Sequence, residues 1–178
     1  MTKTDLSAID HLKNELQVKA LKGFKKIETM GEHYELGALL SKGAFGRVYR
    51  AKHVQMDTET AVKVVSKEKV GEQQIHAELM QNELEVLQEV SHPNIMRVIE
   101  VVEDEENYYI ITEFISGGNL LDKLKEVGGS FTEVQTSSII KQVLMAINYM
   151  HQTMQISHRD IKLENILCMP QKSPEDDL

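Results

Sequence analysis

The chain has 178 residues, of which 41% are hydrophobic and 27% are charged, a composition typical of a soluble globular protein. Its formal net charge is −8, which argues against a general affinity for nucleic acid because such binding needs a basic face. A single cysteine excludes an intrachain disulfide, and the polar N-terminus lacks a signal-peptide core. We therefore expect a reducing compartment, the cytoplasm or the nucleus, and assign the chain to the cytoplasm.

The N-terminal segment, residues 1–30, is predicted to be a leader helix. Apolar residues recur at helical spacing over residues 5–27, namely at Leu6, Ile9, Leu12, Leu16, Leu21, Phe24 and Ile27. A basic patch, "KGFKK", lies near the end of this pattern. One interpretation of this pattern is a leader helix docked on the protein surface. The alternative is a basic amphipathic segment that binds a membrane or a calmodulin-like partner.

From Tyr34 the pattern changes to short β segments. Five are predicted, "YELGALL", "GRVYRAKH", "TAVKVV", "MRVIEVV" and "YYIIT", and the polar link "EDEEN" makes the last two a hairpin. A helix over residues 72–90 is inserted after the third strand, and two helices, "NLLDKLKEV" and residues 133–152, follow the fifth. Thr132 and Gln135 form a capping-box pattern before the last helix. This order predicts an α+β architecture in two parts.

A glycine-bearing stretch, "LSKGAFGRV" at residues 40–48, joins the first two strands. Gly43 and Gly46 allow the backbone to approach a phosphate closely. An ordinary hairpin turn has the same appearance, so this stretch alone does not decide between the two readings. A P-loop is excluded because no lysine followed by Ser or Thr stands at the required spacing.

Lys63 stands in the middle of the valine-rich strand "TAVKVV". On a strand, Ala61, Lys63 and Val65 share one face. A lysine is costly to bury there unless it meets an anion. An exposed lysine on an edge strand is the alternative.

Glu83 is the predicted partner of Lys63. In the helix at residues 72–90 it falls in the centre of an apolar stripe made by Leu79, Met80, Leu87 and Val90. A carboxylate in a buried stripe needs a cation partner. The alternative is that the buried face of this helix is misjudged.

The stretch "HRDIKLENIL", residues 158–167, has the pattern of a catalytic loop. Asp160 is suited to accept or orient a hydroxyl proton, and Lys162 to stabilise phosphate charge. Asn165 offers a carbonyl oxygen that suits a hard cation such as Mg²⁺. A surface loop of mixed charge has a similar composition, but the fixed spacing of these residues argues against it.

Together, these stretches resemble the eukaryotic protein kinases, whose glycine loop, strand lysine, helix glutamate and catalytic loop occur in this order. The resemblance runs from about Tyr34 to Leu167 and includes "HPNI" and "EFISGGNLLDKL". It is greatest to the calcium/calmodulin-dependent and calcium-dependent kinase group, and Lys162 resembles the serine/threonine kinases. It implies a kinase domain over residues 34–178. An N-lobe at about 34–114 would hold a five-stranded antiparallel sheet with one regulatory helix, before an incomplete helical C-lobe at 115–178.

The resemblance implies ATP and Mg²⁺ as cofactors. Gly43 and Gly46 would cover the phosphates, and Lys63, paired with Glu83, would hold the α- and β-phosphates. Thr112 would be the gatekeeper, and Glu113 and Ile115 would form the hinge that binds adenine through backbone groups. The residues expected to sandwich adenine are Leu40, Val48, Ala61 and Leu167.

For catalysis, the resemblance implies that Asp160 positions the substrate hydroxyl, Lys162 contacts the γ-phosphate and Asn165 binds one Mg²⁺. Two departures stand out: Ser41 replaces the first loop glycine, and we expect the chain to stop before the family's Asp-Phe-Gly segment. The first functional hypothesis is ATP-dependent phosphorylation of protein serine or threonine. The alternative is a truncated, catalytically incompetent module that binds a nucleotide or a protein partner.

Overall fold

The computed structural model describes residues 24–43, 46–68, 84 and 86–170. The chain divides into two compact units. The first consists of Met1–Glu89 and Val98–Thr112, and the second of Val90–Arg97 and Glu113–Leu178. Within the described residues, no helix is both long and apolar enough to cross a membrane.

The first unit is built on one mixed sheet. Its strands are β1 (Lys25–Lys26), β2 (Tyr34–Lys42), β3 (Arg47–His53), β4 (Glu59–Ser66), β5 (Val98–Glu103) and β6 (Asn107–Glu113), in the order β1-β5-β6-β4-β3-β2. Strands β2 to β6 confirm the five strands predicted from the sequence. The predicted sheet was nevertheless incomplete, because β1 adds a sixth strand that runs parallel to β5.

The prediction of a helix through residues 24–27 is wrong. Lys25 pairs with Val102 and Lys26 with Glu103, so this segment extends the sheet. The edge of β5 offers unpaired backbone groups, and Phe24 and Ile27 are both buried there, so tertiary contacts override the helical spacing. The rest of the predicted leader helix lies outside the described residues.

The main core of the first unit lies on one face of the sheet. Tyr49 stands opposite Val62 and Ala51 opposite Thr60, which places these side chains on the same face. Val62 and Ile111 are completely buried there. The core cluster consists of Ile27, Met30, Tyr34, Ala51, Val62, Val102, Tyr109 and Ile111.

The turn between β5 and β6 confirms the predicted hairpin. The Asp104 carboxylate accepts hydrogen bonds from the backbone N–H groups of Glu106 (2.9 Å) and Asn107 (2.7 Å) and from the Tyr109 hydroxyl (2.5 Å). Burial raises the pKa of Asp104, but these hydrogen bonds outweigh it and hold that pKa below its usual value. A single ionised side chain therefore fixes the turn.

The second unit contains the helices α1 (Leu120–Glu126) and α2 (Glu133–Gln152). The Asn119 side chain caps α1 by accepting a hydrogen bond from the Asp122 N–H. The capping box predicted for α2 is present, with Thr132 and Gln135 each bonded to the other's backbone. Both predicted helices are thus confirmed, and Ile140, Leu144 and Met145 are exposed on α2.

Residues 90–97, which the sequence assigned to the N-lobe, group with the second unit. The Ser91 N–H donates to the Tyr149 hydroxyl (3.2 Å), and the Asn94 side chain donates to that of Gln142 (3.1 Å). The His92 and Tyr149 rings also lie 5.1 Å apart. These contacts with α2 explain why residues 90–97 group with the second unit. Spacing along the chain does not reveal such contacts.

Candidate functional site

In the first unit, Val48 and Lys63 stand directly opposite each other on β3 and β4, and Ala61 stands opposite Arg50. Val48, Ala61 and Lys63 therefore share the face turned away from the main core, as strand alternation predicts. The edge-strand alternative for Lys63 is wrong, because β4 lies between β6 and β3. Lys63 is nevertheless exposed. Its predicted partner, Glu83, lies outside the described residues, so that ion pair stays a prediction.

The glycine-bearing turn is closed by a hydrogen bond from the Gly43 N–H to the Gly46 carbonyl (2.9 Å). A Cβ atom at Gly46 would lie 2.1 Å from the Val64 carbonyl oxygen, so only glycine fits there. Among the described residues, the nearest atom to a Cβ atom at Gly43 would be the Gly46 carbonyl oxygen, 4.0 Å away, so no such restriction applies there. Packing against β4 explains Gly46, and the phosphate contacts of both glycines stay predictions. Leu40, on β2 before this turn, is exposed.

Thr112, the predicted gatekeeper, is buried near the end of β6. Its hydroxyl donates to the Ala61 carbonyl oxygen at 3.4 Å. This contact ties β6 to β4 beside the face that carries Lys63.

In the second unit, Glu113 is fastened to Arg97 through both its backbone and its side chain. The Glu113 N–H donates to the Arg97 carbonyl (3.1 Å), and Glu113 Oε1 accepts from the Arg97 N–H (2.7 Å). Ile115, the other predicted hinge residue, is half-buried. The Glu113 N–H is thus already engaged, which leaves its carbonyl group for the predicted adenine contact.

The residues of the catalytic-loop pattern come together in the second unit. Asp160 Oδ2 accepts hydrogen bonds from Lys162 Nζ and Asn165 Nδ2, both at 2.8 Å. Asn165 Nδ2 also donates to the Asp160 backbone carbonyl at 2.8 Å. A 3₁₀ turn over Leu163–Asn165 brings the Asn165 side chain back to Asp160. Asn165 stands five residues after Asp160 in the sequence, and this spacing is what allows its side chain to return to Asp160.

The backbone before Asp160 is also constrained. Arg159 has a φ of +64°, a conformation that non-glycine residues adopt rarely and at a cost. The Asp160 N–H donates to His158 Nδ1 at 3.2 Å. The loop therefore stores strain immediately before the carboxylate that it presents.

The electrostatics of this cluster favour the charged forms of both groups. Hydrogen bonds from Lys162 and Asn165 lower the pKa of Asp160, and the hydrogen bond to Asp160 raises the pKa of Lys162. Both side chains are exposed. At neutral pH the site therefore presents an ionised acceptor beside a cation, both open to solvent.

The end of the loop is anchored on the first residue of α1 and on the residues before it. Leu167 forms a β-bridge with Asn119, the Leu120 N–H donates to the Ile166 carbonyl, and the Cys168 N–H donates to the Gly118 carbonyl, the last two at 2.8 Å. A Cβ atom at Gly117 would lie 2.1 Å from the Cys168 carbonyl oxygen. Sequence reasoning missed this role of Gly117, although the paired glycines in "SGGN" were a signal.

The Asn165 side chain leaves one oxygen atom that suits the predicted magnesium ion. Its amide nitrogen donates both bonds to Asp160, so its carbonyl oxygen is the atom left to bind a hard cation. Among the described residues, no group of three or more His, Cys, Asp or Glu side chains is arranged to hold a metal ion. Mg²⁺ commonly completes such a site with water and substrate phosphates.

A sheet-based unit, a helical unit and this loop define an α+β protein of the protein-kinase-like class. A family model described as protein kinase domain matches residues 34–174. The chain is 35% identical to Rad53, solved as residues 1–466 in complex with AMP-PNP, with a TM-score of 0.68 over 87% of this chain and 38% of that chain.

Curated relatives point to the same family. The chain is 37% identical to a probable serine/threonine-protein kinase, fhkD, of Dictyostelium discoideum, over 79% of this chain and 18% of the relative. It is 38% identical to calcium/calmodulin-dependent protein kinase type 1 of Macrobrachium nipponense, over 85% of this chain and 42% of the relative. It is 40% identical to calcium-dependent protein kinase 3 of Plasmodium yoelii yoelii, over 72% of this chain and 23% of the relative.

The chain therefore belongs to the protein kinase domain family, among the serine/threonine kinases. The resemblance to the calmodulin-dependent and calcium-dependent group is confirmed by these relatives. The chain spans less than half the length of each of them.

Proposed function

We propose that the chain binds ATP with Mg²⁺ and transfers the γ-phosphoryl group to a serine or threonine hydroxyl of a protein. The observation that carries this proposal is the cluster in which Lys162 and Asn165 both donate to Asp160 Oδ2. This cluster holds an ionised carboxylate in a fixed orientation within a solvent-open loop, which is what a residue needs in order to align an incoming hydroxyl group.

In the proposed reaction, the substrate hydroxyl oxygen forms a bond to the γ-phosphorus while the bond to the leaving ADP oxygen breaks. Asp160 accepts the hydroxyl hydrogen bond and takes the proton as the new bond forms. Lys162 stabilises the negative charge on the transferred group. Mg²⁺, held by the Asn165 carbonyl oxygen and the nucleotide phosphates, would neutralise charge on the phosphates.

The nucleotide roles rest on the arrangement of each unit. In the first unit, Val48 and Ala61 form an apolar surface beside Lys63, suited to an adenine ring next to a charged tail. In the second, the Glu113 carbonyl and the Ile115 backbone are the proposed hydrogen-bonding groups for adenine, and Leu167 the apolar contact. Glu83 remains the proposed partner of Lys63.

The test is phosphoryl transfer from labelled ATP to a mixture of serine- and threonine-containing peptides by the purified 178-residue chain. Basic peptides are the first choice, because the net charge of −8 favours cationic substrates. Asp160→Asn is expected to lower kcat by about 10²-fold or more. Asp57→Asn, the same substitution at an exposed aspartate between β3 and β4, serves as the matched control and should retain activity.

Calorimetry with Mg-ATP separates the remaining outcomes. Binding without phosphoryl transfer would support the alternative of a catalytically incompetent nucleotide-binding module. Absence of both binding and transfer would contradict the proposed function and leave a protein-binding module as the alternative. Transfer that persists in Asp160→Asn would contradict the role proposed for that carboxylate.

The finer partner assignments are also proposals. Two relatives are a calmodulin-dependent and a calcium-dependent kinase, which supports a calmodulin-like partner for the basic segment "KGFKK". Phe24 and Ile27 of the same apolar pattern are buried in the first unit, however. Such a partner would reach these two side chains only if residues 24–27 left β5. The cytoplasmic location stays a prediction.

A further inference from the structure

A groove of about 340 Å³ lies in the first unit, beside the main core. Val64 lines this groove and also packs against the core cluster. Arg47 stands opposite Val64, and Lys42 stands opposite Arg47, so these three residues share the main-core face of the sheet. Lys63 precedes Val64 on the same strand, so its side chain projects to the other face. The groove is therefore separate from the face proposed to bind ATP.

The groove crosses four neighbouring strands of the sheet, which lie in the order β6-β4-β3-β2. It is lined in this order by Asn107 on β6, Ser66 and Val64 on β4, Tyr49 and Arg47 on β3, and Lys42 on β2. Neighbouring strands are about 4.8 Å apart, so the distance from β6 to β2 is roughly 14 Å. A ligand that lies across these strands would meet amide and hydroxyl groups at one end, an apolar surface in the middle and two cations at the other end.

The cationic end of the groove has no counter-charge within the part of the chain that the structure describes. No described carboxylate pairs with Lys42 or Arg47, and none lines the groove. Arg50 and Lys52, farther along β3, each form an ion pair with a carboxylate instead. Because the whole chain carries a formal net charge of −8, this end of the groove is a local positive region on an acidic protein. Two cations match the charge of about −2 that a phosphate monoester carries at neutral pH.

The middle and the polar end of the groove suit a heterocyclic ring. Tyr49 and Val64 are half-buried and offer an apolar surface on which a flat ring can stack. Ser66 and Asn107 are half-buried at the polar end. Asn107 Nδ2 donates a long hydrogen bond to the Tyr109 hydroxyl (3.4 Å), and among the described residues no hydrogen bond uses Asn107 Oδ1. The amide can therefore accept a hydrogen bond from a ligand, and the Ser66 hydroxyl can donate or accept one.

We propose that this groove is a second small-molecule site, which binds a nucleoside monophosphate. The phosphate lies between Lys42 and Arg47, where the guanidinium group can form two parallel hydrogen bonds to it. The base stacks on Tyr49 and meets Asn107 with its polar edge. A volume of about 340 Å³ suits a ligand of this size, and an orientation across the strands differs from that of a peptide, which pairs along a sheet edge. The proposal does not depend on the proposed kinase activity, since that activity uses the opposite face.

The first experiment locates the binding site. AMP, GMP, CMP and UMP are titrated by calorimetry into the 178-residue chain that carries Lys63→Gln, a change that weakens binding on the opposite face. At least one of these nucleotides should bind with one molecule per chain. Adding Arg47→Gln should raise its Kd about tenfold or more, because a charge-assisted contact to the phosphate is lost. Arg50→Gln, the same substitution on the same strand at a residue that does not line the groove, is the matched control and should leave the Kd unchanged.

The second experiment separates the two ends of the ligand. Ribose 5-phosphate, which lacks the base, and the matching nucleoside, which lacks the phosphate, should each bind at least about tenfold more weakly than the nucleotide. Asn107→Ala should raise the Kd for the nucleotide roughly fivefold and leave that for ribose 5-phosphate unchanged, because only the base reaches this residue. Melting temperatures are measured on the same samples, so that affinities are compared among folded variants.

Four results would overturn the inference. The first is that none of the nucleotides binds the unaltered chain, and the second is that Lys63→Gln abolishes their binding, which would place them on the opposite face. The third is an equal effect of Arg47→Gln and Arg50→Gln. The fourth is ribose 5-phosphate binding as tightly as the nucleotide, since the groove would then be an unspecific cationic surface. Phosphoryl transfer from ATP is measured separately on the unaltered chain, so a failure of the proposed kinase activity is distinguishable from a failure of this site.

Discussion

The side-chain amide of Asn165 donates to both Asp160 Oδ2 and the Asp160 backbone carbonyl oxygen, each at 2.8 Å. One amide group therefore fixes the carboxylate relative to its own backbone. Lys162 donates to the same Oδ2 atom, so both donors converge on one oxygen. Neither of these donors reaches Asp160 Oδ1, so Oδ1 is the oxygen that we propose for the substrate hydroxyl. The orientation of the proposed base is also tied to the proposed metal ligand.

Replacement of Lys162 by methionine is expected to raise the pKa of Asp160 toward its ordinary value. The hydrogen bond from Lys162 is the largest cause of the lowered pKa, and methionine keeps the length of the side chain without the charge. A ¹³C NMR titration of the Asp160 carboxyl carbon measures the change. Glu164→Gln is the control, because Glu164 lies in the same turn and no Glu164 hydrogen bond reaches Asp160. An unchanged Asp160 titration in Lys162→Met would contradict the assigned interaction.

Local signals in the sequence predicted the features that depend on nearby residues. The alternation in "TAVKVV" placed Ala61 and Lys63 on one face, and the Thr132–Gln135 spacing predicted the cap of α2. The spacing of Asp160, Lys162 and Asn165 gave them the pattern of one catalytic loop, and their side chains meet because a single turn joins them. In each case the contact lies within a few residues of the pattern that indicates it.

Features that depend on residues distant in the chain were not predicted from the sequence. Phe24 and Ile27 fit a helical period, but their burial depends on the edge of β5, more than seventy residues further along the chain. The need for glycine at position 117 depends on the Cys168 carbonyl. Gly46 was assigned to phosphate approach, whereas its nearest constraint is the Val64 carbonyl. Spacing along the chain carries no information on such contacts.

Gly117→Ala is expected to destabilise the second unit by about 1–3 kcal/mol, because the new methyl group would overlap the Cys168 carbonyl and force the backbone apart. The hydrogen bonds that anchor the end of the catalytic loop would be strained as well. Chemical denaturation measures the loss. Gly31→Ala is the control, since a Cβ atom there meets no atom of a described residue within 4 Å. Equal stabilities of the two variants would show that the close approach at Gly117 is relieved at no cost.

The Asp104–Tyr109 contact predicts a pH-dependent contribution to stability. The folded-state pKa of Asp104 is lowered, so the unfolded chain takes up the proton first as the pH falls. The stabilisation is therefore complete above the unfolded pKa of about 4 and is lost as the pH falls through the lower folded value. Tyr109→Phe should lower the free energy of unfolding by about 1 kcal/mol at pH 7, with a smaller difference near pH 3.

At alkaline pH, the same contact makes stability fall as the pH rises, whereas at acidic pH it makes stability fall as the pH decreases. Burial and the hydrogen bond to Asp104 raise the pKa of Tyr109 to about 12, so the unfolded chain loses this proton first as the pH rises. The contribution is present below about pH 10 and falls between that value and the folded pKa. Tyr108→Phe, which removes a neighbouring hydroxyl that Asp104 does not bind, is the control at both acidic and alkaline pH. A pH-independent effect of Tyr109→Phe would contradict the assigned charge state.

Thr132→Ala is expected to lower the free energy of unfolding by about 1 kcal/mol, because the Thr132 hydroxyl accepts a hydrogen bond from the Gln135 N–H at the start of α2. Gln135→Ala removes the reciprocal bond to the Thr132 N–H, so the two losses should be less than additive in the double variant. Thr136→Ala removes the same side chain from an exposed position inside the helix and should be neutral or slightly stabilising, because alanine is the better helix former. Thermal and chemical denaturation measure the four variants and the unaltered chain. If Thr132→Ala and Thr136→Ala had equal effects, the cap would contribute nothing beyond helix propensity.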